Sequence, residues 1–144
     1  MKDITGLVLA GGMGRRMDSR DKGLIAFRGK PMVAHVIERL APQVGSLIIN
    51  ANRNLDQYGG LGYPVVSDEV SGYAGPLAGL HAGLRACTTP LIVTAPCDSP
   101  FLPTDLDAPD CQFLRPLIQR YFLQAPRAAA QQDRLVETVN HKVQ

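Results

Sequence analysis

With 144 residues, the chain is long enough to bury one core and too short for two domains of typical size. Its formal charge of +2 is dispersed, without a basic block resembling a nucleic-acid arm, so nucleic acid is not an expected partner. Cys87, Cys97 and Cys111 are odd in number and form no C-x-x-C pair, which argues against a disulfide framework and a structural zinc site and fits a reducing, cytoplasmic setting.

The apolar run over residues 4–10 is too short to cross a membrane. It leads into glycine and arginine where a signal peptide would carry a small-residue cleavage site, so neither anchor nor export signal is expected. It reads as a first strand, over residues 4–9. A helix is expected to begin near Pro31, whose fixed φ suits a first helical position. Met32, Val33, Val36, Ile37 and Leu40 form its apolar stripe, and Pro42 closes it. Strands over 47–50 and 64–67 follow. A second helix begins near Pro76, with Leu77, Leu80, Leu84 and Cys87 on its inner face, and ends before Thr88, Thr89 and Pro90. A fourth strand covers 91–95. Strands alternating with helices are the pattern of βαβ units around a parallel sheet. After Leu106 the spacing turns helical, with Phe113, Leu114, Leu117, Ile118, Tyr121 and Phe122 on one segment and Leu135, Val136, Val139 and Val143 on another. The expected fold is α/β, a Rossmann-like three-layer αβα sandwich with a mostly parallel central sheet and a helical C-terminal tail.

The first strand opens into Gly11-Gly12-Met13-Gly14-Arg15-Arg16-Met17, with Lys22 five residues further on. Glycines let a backbone turn sharply and bring N–H groups against phosphate oxygens, while arginine and lysine supply mobile positive charge. The dinucleotide fingerprint fails because Met17 stands where its third glycine belongs. A Walker A loop fails because Pro31 follows Gly29-Lys30. The plain alternative is a glycine turn with solvated arginines.

Ligands of open α/β sheets sit outside the carboxyl ends of the strands, and each expected strand ends in polar residues. The second ends at Asn50-Ala51-Asn52-Arg53, the third at Ser67-Asp68-Glu69 and the fourth at Pro96-Cys97-Asp98-Ser99. Asp98 offers a hard oxygen for Mg²⁺ beside a triphosphate, or else caps a turn before Pro100. Asp68 can accept hydrogen bonds from a ribose hydroxyl or a guanine edge, or serve as a turn residue. His35 and His81 lack a second ligand at metal spacing, and Cys97 reads as a small buried residue rather than a nucleophile.

In order along the chain, Leu9-Ala10-Gly11-Gly12-Met13-Gly14-Arg15-Arg16-Met17, Asp21-Lys22-Gly23-Leu24, Gly29-Lys30-Pro31, Asn50-Ala51-Asn52-Arg53, Gly75-Pro76-Leu77-Ala78-Gly79 and Pro96-Cys97-Asp98 resemble the molybdenum cofactor guanylyltransferase family over residues 4–106. The resemblance implies Mg²⁺-dependent transfer of GMP from GTP to molybdenum-molybdopterin, with release of pyrophosphate. It implies nucleotide contacts at Leu9, Ala10, Gly11, Lys22, Asn50, Asp68 and Asp98, with Asp98 also carrying the metal. Arg16 and Lys22 would act on the phosphates, and Gly75 and Gly79 would let guanine approach the backbone, unless they serve only a turn and helix packing. Residues 1–106 would then be a nucleotide-binding α/β domain and 107–144 a shortened, helical segment of the same unit, in a monomer whose partners are GTP, molybdopterin and molybdoenzymes or cofactor-biosynthesis proteins. Asp18 stands where the family usually has glycine, and the stretch after Leu106 departs from the family's ending. Two alternatives follow, a GTP-binding module without transferase activity and a related cytidylyl or sugar-phosphate nucleotidyltransferase.

Overall fold

The computed structural model describes residues 3–12, 20–69, 75–106 and 123–124. Four parallel strands, β1 (Ile4–Leu9), β4 (Ser46–Asn50), β5 (Val65–Val66) and β6 (Leu91–Pro96), lie in the order β5-β4-β1-β6. β7 (Leu123–Gln124) adds an antiparallel edge to β6. A separate two-stranded ribbon pairs β2 (Ala26–Phe27) with β3 (Lys30–Pro31). The helices are α1 (Met32–Leu40), α2 (Leu55–Gly59) and α3 (Pro76–Ala86).

β1 is central and covered on both faces, which is why it reads as an almost unbroken apolar run. Its alternate side chains go to opposite layers. Ile4 and Val8 join Leu47, Ile49, Val33, Val36, Ile37, Leu40 and Tyr58 on the side of α1 and α2. Leu7 joins Ile48, Ile92, Leu80 and Leu84 on the side of α3. Each such side chain, once buried, contributes about 1.5–3 kcal/mol. The one polar side chain in the interior of β1, that of Thr5, is satisfied by the hydroxyls of Ser46 and Thr89, each at 2.7 Å.

The described residues therefore form the expected αβα layering, with several local corrections. Pro31 ends β3 and precedes α1 instead of starting it, with ψ of 143°. Pro42 does not close the helix abruptly, because the chain tightens after Leu40 into a 3₁₀ turn over Ala41–Gln43 that accommodates a residue lacking an N–H. β5 is two residues long, shorter than the expected 64–67, and β6 runs one residue past the expected end. On α3, Leu80 and Leu84 are buried and Leu77 only partly so, while Cys87, expected on the same face, lies just past the helix end in extended conformation and is partly buried. Ala78, Gly79, Ala82 and Gly83 complete that buried face, since small residues let the helix lie close on the sheet. β7 is a strand within the stretch expected to be helical, and the two expected tail segments lie outside the described residues. Among the described residues, no helix is long and apolar enough to cross a membrane.

Candidate nucleotide site

The carboxyl ends of β1, β4 and β6 are level: Leu9 pairs with Asn50 on one side and Pro96 on the other. Backbone pairing continues one step beyond, with the Ala10 N–H donating to the Asn50 carbonyl at 2.8 Å and the Cys97 N–H to the Leu9 carbonyl at 3.1 Å. Three loops consequently leave the sheet at one place.

Asn50 is only 2 % exposed, and its amide donates to Asp68 Oδ1 at 2.8 Å and to the Val66 carbonyl at 3.3 Å. Asn52, on the same side of the strand end, donates to Asp68 Oδ2 at 2.9 Å and to the Gly11 carbonyl at 3.0 Å, and accepts the Asp68 N–H at 2.8 Å. Both carboxylate oxygens of Asp68 are thus oriented by asparagine amides, leaving further lone pairs on each for a ligand. Asn52 enters the sequence reading only inside the Asn50-Ala51-Asn52-Arg53 run, with no contact of its own. Its signal lay in the Asn-x-Asn spacing, which puts two amides on one side of an extended chain.

Gly11 also has a reason beyond phosphate approach. A Cβ there would stand 2.6 Å from Asn50 Oδ1 and 2.8 Å from Asn52 Nδ2, so the missing side chain makes room for the two amides. Gly79 is similar, because a Cβ would strike Asn50 Oδ1 and come within 2.9 Å of Leu9 Cδ2. The space a Cβ would need at Gly79 is taken by protein, so close packing of α3 on the sheet by itself requires glycine there. Gly75 caps α3, its carbonyl accepting the Ala78 N–H at 3.2 Å.

On the β6 side, Lys22 Nζ lies 3.7 Å from Asp98 Oδ2, with the two side chains 47 % and 39 % exposed. Lys22 opens a 3₁₀ turn over Lys22–Leu24 and Asp98 follows β6, so the pair bridges two loops at the mouth. Leu9, Ala10, Gly11, Asn50 and Asp68 gather around β1 and β4, while Lys22 and Asp98 meet beside β6. Arg16 and Asp18 lie outside the described residues. His35 serves the hairpin, its Nε2–H donating to the Phe27 carbonyl at 2.6 Å.

Cys97 is buried, and its thiol is pushed up to about 12, first by desolvation and then by the negative charges of Asp98 and Asp21. A group held protonated in this way is no nucleophile. It also sets an alkaline limit. Below its ordinary value of 9.0 the thiol is protonated folded or unfolded and its contribution is fully present. As pH rises from there toward about 12, only the unfolded chain ionises, and stability falls by up to about 1.4 kcal/mol per pH unit. The Tyr58 phenol, raised by burial and by its bond to Asp21, adds to the same fall above its ordinary 10.0. Urea unfolding between pH 8 and 11 should show this slope, and Cys97→Ala should flatten it; parallel profiles would contradict the assignment.

The family model described as MobA-like NTP transferase domain matches residues 6–134. The chain belongs to this family. Among curated MobA-like relatives, the molybdenum cofactor guanylyltransferase of Ralstonia pickettii (strain 12J) is 62% identical over 106 residues, which are 74% of this chain and 52% of that one. The enzyme of the same name from Cupriavidus necator is 63% identical over 106 residues, 74% of this chain and 53% of the relative. The chain thus spans about half the length of the curated relatives it matches. Among solved structures, molybdopterin-guanine dinucleotide biosynthesis protein A from Archaeoglobus fulgidus is 27% identical, with a TM-score of 0.53 over 71% of this chain and 51% of that chain. A nucleotidyl transferase from Methanothermobacter shares the fold, with a TM-score of 0.62 at 22% identity over 74% of this chain and 55% of that one. The MobA-like assignment and the layered parallel sheet agree, and the matched stretch includes every strand end described above.

Proposed function

We propose that this chain binds Mg·GTP at the ends of β1, β4 and β6 and transfers GMP to the terminal phosphate of molybdenum-molybdopterin, releasing pyrophosphate. The observation that carries the reading is the Lys22–Asp98 pair at the mouth, a mobile cation and a hard oxygen anion side by side next to the Gly11 loop. The named activity of relatives 62% identical over the same residues supports it. An anionic phosphate oxygen attacks an anionic α-phosphorus, and the bond to the pyrophosphate oxygen breaks. The protein's task is therefore placement and charge neutralisation, with no general base required.

In this reading Lys22 turns from Asp98 to the triphosphate, joined by Arg16. Leu9, Ala10 and Gly11 supply the floor of the phosphate loop, and the Asp68 carboxylate, fixed by Asn50 and Asn52, accepts from the ribose or base. Magnesium is commonly held by one or two carboxylates together with substrate phosphates, a demand that the exposed Asp98 meets without any larger cage. Bound there, the ion would offset developing negative charge on the phosphates. The compartment that fits the free buried thiol of Cys97 is the reducing cytoplasm.

Thermal unfolding tests the donor half. Mg·GTP at a hundredfold excess over its Kd should stabilise the chain by about 2.7 kcal/mol, more than CTP or ATP at the same concentration. Lys22→Ala removes a charge-assisted contact worth about 1.5–3 kcal/mol and should weaken GTP at least about tenfold. No shift with GTP overturns the reading. Pyrophosphate release on adding molybdenum-molybdopterin tests the acceptor half, and a chain that binds Mg·GTP without turnover is a nucleotide-binding module instead.

A further inference from the structure

The contacts proposed above leave Asp21 unused, although its carboxylate is buried beside Lys22, with its side chain 8% exposed. The Tyr58 hydroxyl donates to Oδ1 at 2.5 Å, and Asn54 Nδ2 donates to Oδ2 at 3.0 Å. Arg53 Nε stands 3.9 Å from the same oxygen. These groups come from the segment between β4 and the end of α2. Asn54 takes left-handed backbone angles (φ 53°, ψ 37°) to turn the chain there, a conformation that asparagine tolerates better than most residues. A charge gripped in this way points away from a metal role, since its oxygens are engaged by the protein itself.

The same turn is seated from beneath. The Asp21 carbonyl accepts the Leu24 N–H at 3.1 Å, and the Lys22 carbonyl accepts the Ile25 N–H at 3.3 Å. A Cβ on Gly23 would stand 2.5 Å from Tyr58 Oη and 3.2 Å from Cys97 Cβ. Tyr58 is fully buried and cannot retreat. The turn therefore rests on Tyr58 and Cys97, and Asp98, which Lys22 meets, is the next residue after Cys97. We infer that Asp21 is a positioning residue, an anchor whose bond to Tyr58 ties the Lys22 turn to α2 and so aims the ammonium at the triphosphate. This inference rests on the nucleotide reading of the site, but its first test does not.

Amide hydrogen exchange on the ligand-free full chain reads the anchor directly. Tyr58→Phe keeps the ring in the core and removes only the donor, so exchange at residues 22–25 should rise severalfold while β1 is unchanged. Unaltered protection of 22–25 overturns the anchor. GTP titration then reads its consequence. Tyr58→Phe should weaken Mg·GTP about fivefold in the parent, the order of one lost hydrogen bond, and less than about twofold in a Lys22→Ala background. Equal weakening in both backgrounds means a general structural role and overturns the positioning claim. Should Tyr58→Phe fail to fold, Asp21→Asn preserves shape and gives the same two readouts. A parent chain that ignores Mg·GTP while its 22–25 amides loosen in the variant overturns the nucleotide reading alone and supports the anchor.

Discussion

Asp98→Ala should abolish the magnesium-dependent part of GTP binding and lower pyrophosphate release at least about a hundredfold, while GTP binding in EDTA persists. The two halves of this expectation have separate causes. With magnesium, the variant loses the one carboxylate proposed to hold the ion, and metal stabilisation of transition-state charge is worth several kcal/mol, at 1.36 kcal/mol per tenfold in rate. Without magnesium, the parent's carboxylate both repels the triphosphate and holds Lys22 at 3.7 Å. Removing it frees the ammonium, so metal-free GTP should bind at least as tightly as to the parent. Lys22→Ala has the opposite signature, weakening GTP with and without the ion. Stability itself should hardly change in either variant, because an exposed pair of this kind is worth about 0–1 kcal/mol. Isothermal titration with magnesium and with EDTA separates the cases. An Asp98→Ala chain with undiminished magnesium dependence would remove Asp98 from the site.

What the sequence made legible follows from where its signals are local. β1 and α1 announce themselves by continuous apolar runs and a 3.6-residue stripe, and they stand within a residue of expectation. Asn50, Asp68 and Asp98 stand out as candidates in the sequence because a parallel sheet delivers its strand ends to one edge, so position in the pattern implies position in space. The ribbon of β2 and β3 escaped notice, since two-residue strands carry no periodicity. α2 did as well, with five residues and one buried side chain. The role of Asp21 was hidden for a different reason. Its partner Tyr58 is 37 positions away, and a hydrogen bond at that separation leaves no trace in spacing or composition. At Gly11 and Gly79 the spacing points to glycine but not to its neighbours: a Cβ would meet asparagine amides and Leu9, contacts between segments far apart in the chain that no local pattern records.

Gly79→Ala should destabilise the fold by about 1–3 kcal/mol and weaken GTP together with it. Two effects oppose each other at this position. Alanine is favoured over glycine inside a helix by about 1 kcal/mol, and α3 would gain that. Against it, the new Cβ meets Asn50 Oδ1 inside contact distance and Leu9 Cδ2 at 2.9 Å. An exposed side chain would swing aside, but Asn50 is 2% exposed and held by its bonds to Asp68 and Val66. Yielding means breaking the bond that orients the Asp68 carboxylate or lifting α3 off the sheet, so overpacking outweighs propensity. The first route couples stability to the site. GTP affinity should fall in the variant even at temperatures where it remains folded, and the Asn50 side-chain amide resonances should shift. Gly59→Ala is the control, since a Cβ there meets nothing within 4 Å at the end of α2, and it should be neutral or stabilising by up to about 1 kcal/mol. A Gly79→Ala protein with unchanged Tm and GTP affinity would show that the sheet and helix have slack where the structure gives them none.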